Sequence, residues 1–391
     1  MVKQGYKQTE IGILPEDWDV DAIGSIILSF ATGGNYKNST QISPYPLIKM
    51  GNISRGHINL NKVEYVIDTV PIEKDKLIYG DVLFNTRNTP ELVGKVAIWK
   101  NELPLAYFNS NLLRFNFNLE KSNPFFMNLI FNTEKTISEF KNIAKGTTSV
   151  AAIYPQDMLK VKIQIPPLCE QERIAEALSD VDSMISSLEK LIAKKKAVKQ
   201  GAMQELLKGK KRLPGFTGNW ESKCNLFSFD KGIQLNSSLL NEIDAYPVYN
   251  GGREPSGYTD KFNCKGTIII SEGGNSCGFV NRVKQNFWAG GHCYYIYESD
   301  LNFDFLYHLL KFYETNIMGL RVGSGLPNIQ KDALSKMKFL YPLDYAEQTA
   351  IASVLSDMDN EIEALEKKLD KTRQIKQGMM QQLLTGKIRL V

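Results

Sequence analysis

The hydrophobic and polar positions of the chain follow a helical period in two long stretches. Apolar residues separated alternately by four and three positions form one stripe along a helix, as in the seam of a coiled coil. The first stretch carries Ile174, Leu178, Val181, Ile185, Leu188 and Ile192, and the second carries Ile351, Leu355, Met358, Ile362, Leu365 and Leu369. We predict that two long helices pack on each other along this stripe. The predicted seam residues are Ile174, Leu178, Ile185, Leu188, Ile351, Leu355, Ile362 and Leu365.

The two stretches are copies of one repeat. Residues 170–213 recur at residues 347–390, and about half of the paired positions are identical. Both copies contain the strings LSD and KQG and end in GK-x-RL. A helix of about 38 residues, at about 1.5 Å per residue, is roughly 57 Å long, which exceeds the inside of one small domain. Internal repetition of this kind indicates one structural unit built twice.

Each predicted long helix follows a segment rich in short strands. Stretches such as KVEYVI and NLLRFNF precede the first helix, GTIIISEGG and HCYYIYE precede the second, and Gly, Asn and Pro punctuate them. Each segment also contains one predicted helix, SNPFFMNLIFNTEKTISEFKNIA in the first and FDFLYHLLKFYETNI in the second. These helices are followed by the predicted loops KGTTSVAAI and VGSGLPNI. The predicted domains are residues 1–166 and 214–342, each followed by a helical spacer, 167–213 and 343–391.

The composition narrows the function classes. The 391 residues carry a formal net charge of +4, which permits a polyanionic partner without requiring one. No apolar run is long enough to cross a membrane, and the first residues have no apolar core of a secretory signal. The five cysteines show no paired spacing, and Cys277, His292 and Cys293 lack the spacing of a metal site. We therefore expect a cytoplasmic protein without a bound metal.

Several strings together resemble the specificity subunit of type I restriction–modification systems. These are IPPLCEQERIA and YPLDYAEQTAIA at the two helix entries, the KQG-x-M-Q-x-LL-x-GK-x-RL exits, the IG-x-LP-x-x-W start and the NTPELVGKVAIW block. The resemblance covers essentially the whole chain. It implies an α+β fold with two β-rich α/β target-recognition domains, separated by two long helices that pack as an antiparallel coiled coil in a pseudo-twofold internal repeat.

The resemblance also implies a reader of DNA without catalysis of its own. In this family, each recognition domain reads one half of an asymmetric bipartite site in double-stranded DNA. The helices set the gap and dock two methyltransferase subunits, which use S-adenosylmethionine, and motor-nuclease subunits complete the complex. This chain itself has no Gly-x-Gly-x-x-Gly after a strand and no Walker A string. Residues 123–126 (NPFF) lack the second proline of an adenine methyltransferase loop. We expect no cofactor in this chain.

Residues that read bases are expected on polar loops that can enter the major groove. In the first domain the candidates are Arg55, Arg87, Asn88, Lys145, Thr147 and Thr148, and in the second they are Arg253, Tyr258, Asn275, Arg321, Ser324 and Asn328. The loops 145–149 and 321–328 are favoured, because they occupy the same place in both halves and combine a cation with small hydroxyl residues.

Two other functions are compatible with the sequence. The chain could be the recognition part of a self-contained DNA-modifying enzyme, although the missing cofactor motif argues against it. It could also be a coiled-coil structural adaptor without DNA specificity, which the modest net charge permits.

Overall fold

The computed structural model describes residues 4–147, 149–243, 245–323, 325 and 327–391. It divides into two compact units, one formed by residues 1–186 and 370–391 and the other by residues 187–369. Each unit therefore contains one β-rich globule and parts of both long helices. The domain limits expected from the sequence remain a prediction, because the compact units follow packing and cut through the two helices.

The elements alternate strands, short helices and long helices in both halves. The strands of the first unit are β1 (Tyr6–Thr9), β2 (Gly12–Pro15), β3 (Asp19–Ala22), β4 (Ile27–Thr32), β5 (Asn38–Ser39), β6 (Pro46–Ile48), β7 (Glu64–Val66), β8 (Val82–Asn85), β9 (Arg87–Asn88), β10 (Val96–Ile98), β11 (Tyr107–Phe108), β12 (Leu112–Phe117), β13 (Lys145–Gly146), β14 (Ala151–Ala152) and β15 (Lys162–Ile165). The strands of the second unit are β16 (Trp220–Lys223), β17 (Phe227–Lys231), β18 (Tyr246–Tyr249), β19 (Tyr258–Thr259), β20 (Ile268–Ser271), β21 (Val280–Arg282), β22 (Trp288–Ala289), β23 (Cys293–Ser299) and β24 (Phe339–Pro342). The α-helices are α1 (Pro124–Phe131), α2 (Glu134–Ile143), α3 (Pro155–Met158), α4 (Leu168–Leu206), α5 (Phe303–Phe312), α6 (Glu314–Met318), α7 (Lys331–Ser335) and α8 (Tyr345–Leu383).

A four-stranded antiparallel sheet forms the centre of each globule. Its strand order is β10-β8-β12-β4 in the first globule and β17-β23-β20-β21 in the second. Successive residues of β8 point to opposite faces, so that Phe84 enters one hydrophobic core and Leu83 another. In the same way Ile270 and Ile269 of β20 enter different cores. Burial on both faces explains why these strands are continuously apolar and do not alternate with polar residues.

The helix predicted in each globule is interrupted. In the first globule α1 ends at Phe131, and Thr133 caps a second helix, α2, by accepting a hydrogen bond from the Thr136 amide. In the second globule the corresponding break lies at Tyr313, between α5 and α6. The prediction of one continuous helix in each globule was therefore wrong. The apolar spacing continues across each break, whereas local capping determines where a helix ends and the next one begins. Asn123 is the N-cap of α1 and accepts from two amides, and Pro124 follows it in the first turn, where its missing N–H leaves no bond unmade.

The long helices α4 and α8 contain 39 residues each and run antiparallel where they meet within a unit. In the first unit Asp182 pairs with Lys376 at 2.6 Å. In the second unit Lys199 pairs with Asp359, and Lys195 pairs with Glu361 at 2.6 Å. The predicted antiparallel pairing is confirmed within each unit, and so is the internal repeat. The pairs Asp182–Lys376 and Asp359–Lys199 are the same interaction made once in each unit, since both use the same two repeat positions.

The predicted seam residues fall into two groups. Ile174 and Leu178 lie in the core of the first globule, together with Leu383 and Leu384 from the end of α8. Likewise Ile351 and Leu355 lie in the core of the second globule, together with Met203, Leu206 and Leu207. Further along the helices, Leu188 and Ile362 are buried, whereas Ile185 and Leu365 are half-buried. The stripe thus anchors each globule at one end, and its further residues are buried or half-buried along the helices.

Candidate nucleic-acid interface

A three-stranded ribbon at the end of the first central sheet gathers four of the predicted DNA-binding residues. Its strand order is β13-β14-β9, so Arg87 and Asn88 lie across β14 from Lys145, with Thr147 in the connecting turn. The predicted loop is therefore a short hairpin. Gly146 allows the hairpin to close, because its φ is 154° and a Cβ there would lie 2.1 Å from the Val150 carbonyl oxygen.

The side chains of this ribbon are exposed and partly oriented. The Lys145 ammonium donates to Asp157 at 2.7 Å, which raises the pKa of Lys145, and lies over the Tyr154 ring. The Thr147 amide donates to the Val150 carbonyl oxygen at 2.9 Å, which closes the turn. Arg87 is exposed, and Asn88 is half-buried. Thr148 lies outside the described residues. The ribbon therefore presents cations and hydroxyl groups together, a combination suited to phosphates and base edges.

The second globule places a hairpin at the corresponding position. Asn328 pairs with both Val322 and Gly273, which joins the hairpin to the segment that follows β20. Asn275 is exposed in the turn of that segment, and Arg321 is exposed at the start of the hairpin, where its Nε donates to the Met318 carbonyl oxygen at 2.7 Å. Ser324 lies outside the described residues. Both favoured loops thus occupy equivalent ends of the two central sheets.

The remaining three candidates lie elsewhere in their globules. Arg55 is half-buried in the turn between Ile53 and Ile58, where desolvation lowers its pKa. Its buried Nη1 has no hydrogen-bond partner within the described part of the chain. Arg253 stacks over the Phe279 ring at 5.2 Å, and Tyr258 belongs to β19 in a separate sheet. The sequence favoured the loops 145–149 and 321–328 over these three residues, but it gave no reason to place Arg87, Asn88 or Asn275 beside those loops, because only strand pairing brings them together.

Two buried carboxylates join the start of each long helix to the segment just beyond the end of the other. Glu347 accepts from Arg212 through Nε at 2.5 Å and Nη2 at 2.6 Å, and its side chain is 0% exposed. Glu170 accepts from Arg389 in the same way, at 2.7 Å for both bonds, and also from Trp18 Nε1 at 2.8 Å. The repeated EQ and RL strings are therefore the two ends of one ion pair that is made twice. The strings are visible in the sequence, but their pairing is not.

The neighbouring glutamines fix the short helices of the globules. Gln171 accepts from the Asn123 amide at 2.9 Å and donates to the Pro166 carbonyl oxygen at 2.8 Å. Gln348 makes the same two bonds, with Asn302 and Pro342, at 2.9 Å each. Each long helix thus holds the N-cap residue of the short helix that follows the central sheet, Asn123 in the first globule and Asn302 in the second. Both globules are attached to their long helix in the same way.

A buried carboxylate that the sequence analysis did not select lies beside the second hairpin. Glu272, directly after β20, accepts from Lys231 at 2.8 Å and contacts His292 Nδ1 at 3.2 Å. These residues lie on three different strand ends and are far apart in sequence, so no local pattern could have identified them. Over the residues that the structure covers, no cluster of metal ligands is found. Within the same residues, no helix is long and apolar enough to span a membrane.

Comparisons with known proteins agree with the two-globule architecture. A family model described as "Type I restriction modification DNA specificity domain" matches residues 15–200 and 219–374. The putative type I restriction enzyme MjaX specificity subunit of Methanocaldococcus jannaschii is 31% identical over 417 aligned positions, which cover 99% of this chain and 97% of that protein. A putative type I specificity subunit of Mycoplasma genitalium, S.MgeORF438P, is 34% identical over 164 positions, covering 40% of this chain and 43% of that protein.

Solved structures give the same result for the fold. The crystal structure of the type-I restriction-modification system S subunit from M. genitalium covers 94% of this chain and 96% of that one, with a TM-score of 0.68. Its sequence identity is 18%, so this likeness concerns the fold alone.

Proposed function

The chain belongs to the type I restriction-modification DNA specificity family, and from that premise we propose that its two globules read the two different halves of an asymmetric, bipartite DNA site. The observation that carries this proposal is the equivalent position of the ribbon β13-β14-β9 and the hairpin Val322–Asn328 at the ends of two related central sheets. Their side chains differ, so the two half-sites should differ too. The proposed reading residues are those that these elements bring together, namely Arg87, Asn88, Lys145 and Thr147 in the first globule and Asn275, Arg321 and Asn328 in the second.

The long helices act as a spacer and a docking platform. In each unit a buried Glu–Arg pair joins the start of one helix to the segment just beyond the end of the other, and the arginine lies over a tryptophan ring of the globule at 5.7 Å. Such attachment leaves little freedom between a globule and its helices, which is the property that a fixed gap between half-sites requires. We further propose that the exposed faces of the helices bind two copies of a methyltransferase subunit.

Methylation and cleavage belong to the partner subunits in this proposal. S-adenosylmethionine would bind to the methyltransferase subunit, and motor-nuclease subunits would complete the complex. The chain's own contribution is selection of the DNA site and placement of the partners. The absence of a cofactor motif from the sequence supports this division.

The experiment that tests the proposal is a comparison of methylated adenines across the host genome, with the gene intact and deleted. One split, asymmetric motif should lose its methylation on deletion. An unchanged methylome in a strain whose methyltransferase is active would instead favour the adaptor function. Binding of S-adenosylmethionine by the isolated chain would favour a self-contained enzyme.

The spacer role has a separate test. Adding seven residues to the middle of each long helix lengthens it by about 10.5 Å, at about 1.5 Å per residue. At about 3.4 Å per base pair, the gap in the recognised site should grow by up to about three base pairs. The two half-site sequences should stay the same. A change in either half-site sequence would contradict the spacer role.

A further inference from the structure

The two globules carry different chemistry at three equivalent positions. The pairing registers align the central sheets: Leu112 with Asn85 and Leu113 with Thr32 in the first globule, Cys293 with Ser271 and Tyr294 with Lys231 in the second. The residues at the sheet end are consequently equivalent in pairs, namely Thr32 with Lys231, Thr86 with Glu272, and Asn111 with His292. The first globule has hydroxyl and amide groups there, whereas the second has a lysine, a carboxylate and an imidazole.

The charged group of the second globule is a built cluster. The Glu272 side chain is only 10% exposed, while those of Lys231 and His292 are 48% and 59% exposed. One carboxylate oxygen of Glu272 accepts from the Lys231 ammonium, and the other faces His292 Nδ1. The backbone fixes the same residues, because the Glu272 amide donates to the His292 carbonyl oxygen at 2.9 Å. The buried carboxylate of Glu272 therefore orients the exposed side chains of Lys231 and His292.

The cluster adjoins the hairpin Val322–Asn328. The imidazole lies against Gly273, where an added Cβ would be 3.4 Å from His292 Nδ1. Gly273 pairs with Asn328, and the Ile329 amide donates to the Glu272 carbonyl oxygen at 2.9 Å. The cluster thus lies beside Asn328 and Ile329 at the end of the sheet.

On the basis of the function proposed above, we propose that Lys231 and His292, oriented by Glu272, read one G·C base pair in the half-site of the second globule. Guanine presents two acceptors in the major groove, N7 and O6, and cytosine presents a donor, its N4 amino group. The Lys231 ammonium has three N–H donors, of which one is used by Glu272. Because His292 Nδ1 faces the carboxylate, the neutral ring carries its proton on Nδ1 and presents Nε2 as an acceptor.

The fixed position of the lysine favours base reading over a phosphate contact. A mobile lysine acts as a point charge that follows the backbone of DNA, whereas base recognition requires a donor held in one place. Glu272 supplies that restraint and is a positioning residue. Thr32, Thr86 and Asn111 of the first globule both donate and accept, so we expect no equivalent preference for a G·C pair from these positions.

The test uses the complex of the full chain with its methyltransferase subunit and a pool of duplexes with randomised half-sites, from which bound duplexes are sequenced. Lys231→Thr and His292→Ala should each lower discrimination for a G·C pair by about 5- to 150-fold, at one position of one half-site. Glu272→Gln should weaken preference at that same position. The matched control is Lys336→Ala, which removes an exposed lysine that pairs with Asp332 at 2.6 Å in the same globule and should leave the motif unchanged.

Each outcome of the test decides either the inference or the proposed function. Loss of preference at one position of one half-site, with the other half-site intact, supports the inference. An unchanged motif overturns it. An equal loss of affinity for all sequences also overturns it, if the slope of log affinity against log salt concentration is reduced by about 0.9, because that result indicates a phosphate contact. If the unaltered complex selects no split motif, the proposed function has failed, and this result is distinguishable from failure of the inference.

Discussion

Replacing Arg212 by methionine should destabilise the second unit far more than the equivalent change, Arg389→Met, destabilises the first. The Glu347 carboxylate is fully buried and accepts two hydrogen bonds from Arg212. No other donor to this carboxylate is found in the described ranges of the chain. Removing one partner of a buried ion pair costs about 3–5 kcal/mol, because a buried charge is left uncompensated. We expect a loss in this range for Arg212→Met.

The first unit provides the internal comparison. Glu170 keeps two donors when Arg389 is replaced, namely Trp18 Nε1 at 2.8 Å and the Leu390 amide at 3.3 Å. A hydrogen bond to a charged group contributes about 1.5–3 kcal/mol, so the Trp18 bond that Glu170 keeps should make Arg389→Met cost about 2 kcal/mol less than Arg212→Met. Arg389→Met also breaks a pair with Asp17 at 2.7 Å, but the Asp17 side chain is half exposed and such a pair contributes only about 0–1 kcal/mol. The stacking of each arginine on its tryptophan ring, at 5.7 Å in both units, should cancel in this comparison.

The assay is a urea titration followed by circular dichroism. Hydrogen exchange of the first turns of α4 and α8 identifies the unit that has lost stability. The double variant Arg212→Met, Glu347→Met should recover most of the loss, since it removes the buried charge together with its partner. Equal losses for the two arginine variants, or a loss below about 1 kcal/mol for Arg212→Met, would refute the reasoning.

Three further predictions follow from burial and charge. Desolvation lowers the pKa of His308 to about 4, so below about pH 6.5 the unfolded chain binds a proton that the folded chain does not, and the free energy of unfolding falls as the pH falls towards 4. Urea titrations should show that the free energy of unfolding drops by about 2 kcal/mol between pH 7 and pH 5. The variant His308→Leu should not show this drop. Leu188→Asp should destabilise the second unit by about 3 kcal/mol by placing a carboxylate at a position 7% exposed, whereas Leu191→Asp, 39% exposed on the same helix, should cost less than about 1 kcal/mol in the same titration. Iodoacetamide should alkylate the exposed Cys169 in the native protein and spare Cys264, because Cys264 is buried and burial raises its pKa to about 11. Peptide mass spectrometry measures the labelling of each cysteine, and equal labelling of both would contradict the described burial.

The sequence by itself determined the repeated architecture. A stripe such as Leu178, Ile185 and Leu188 can be read from spacing alone, because a helix brings residues three and four apart to one face. The sequence also allowed Ser122 or Asn123 as the cap of α1, since a capping side chain and the following proline act within one turn, and the structure assigns the cap to Asn123. The similarity of the two halves then predicted the same order of elements for the second half, without any knowledge of its contacts. The helix breaks after Phe131 and at Tyr313 were missed, since the apolar period continues across them.

Only the tertiary structure decided which polar residues form sites. Glu170 meets Arg389, and Lys231 meets Glu272 and His292, across separations that no local pattern encodes. Strand pairing also decides which residues of the ribbon lie together, since Arg87 lies near Lys145 because β14 pairs with both β9 and β13. Arg55 is equally polar in sequence but lies in a half-buried turn. Periodicity is a local property of the chain, and a binding surface is made by contacts between distant segments.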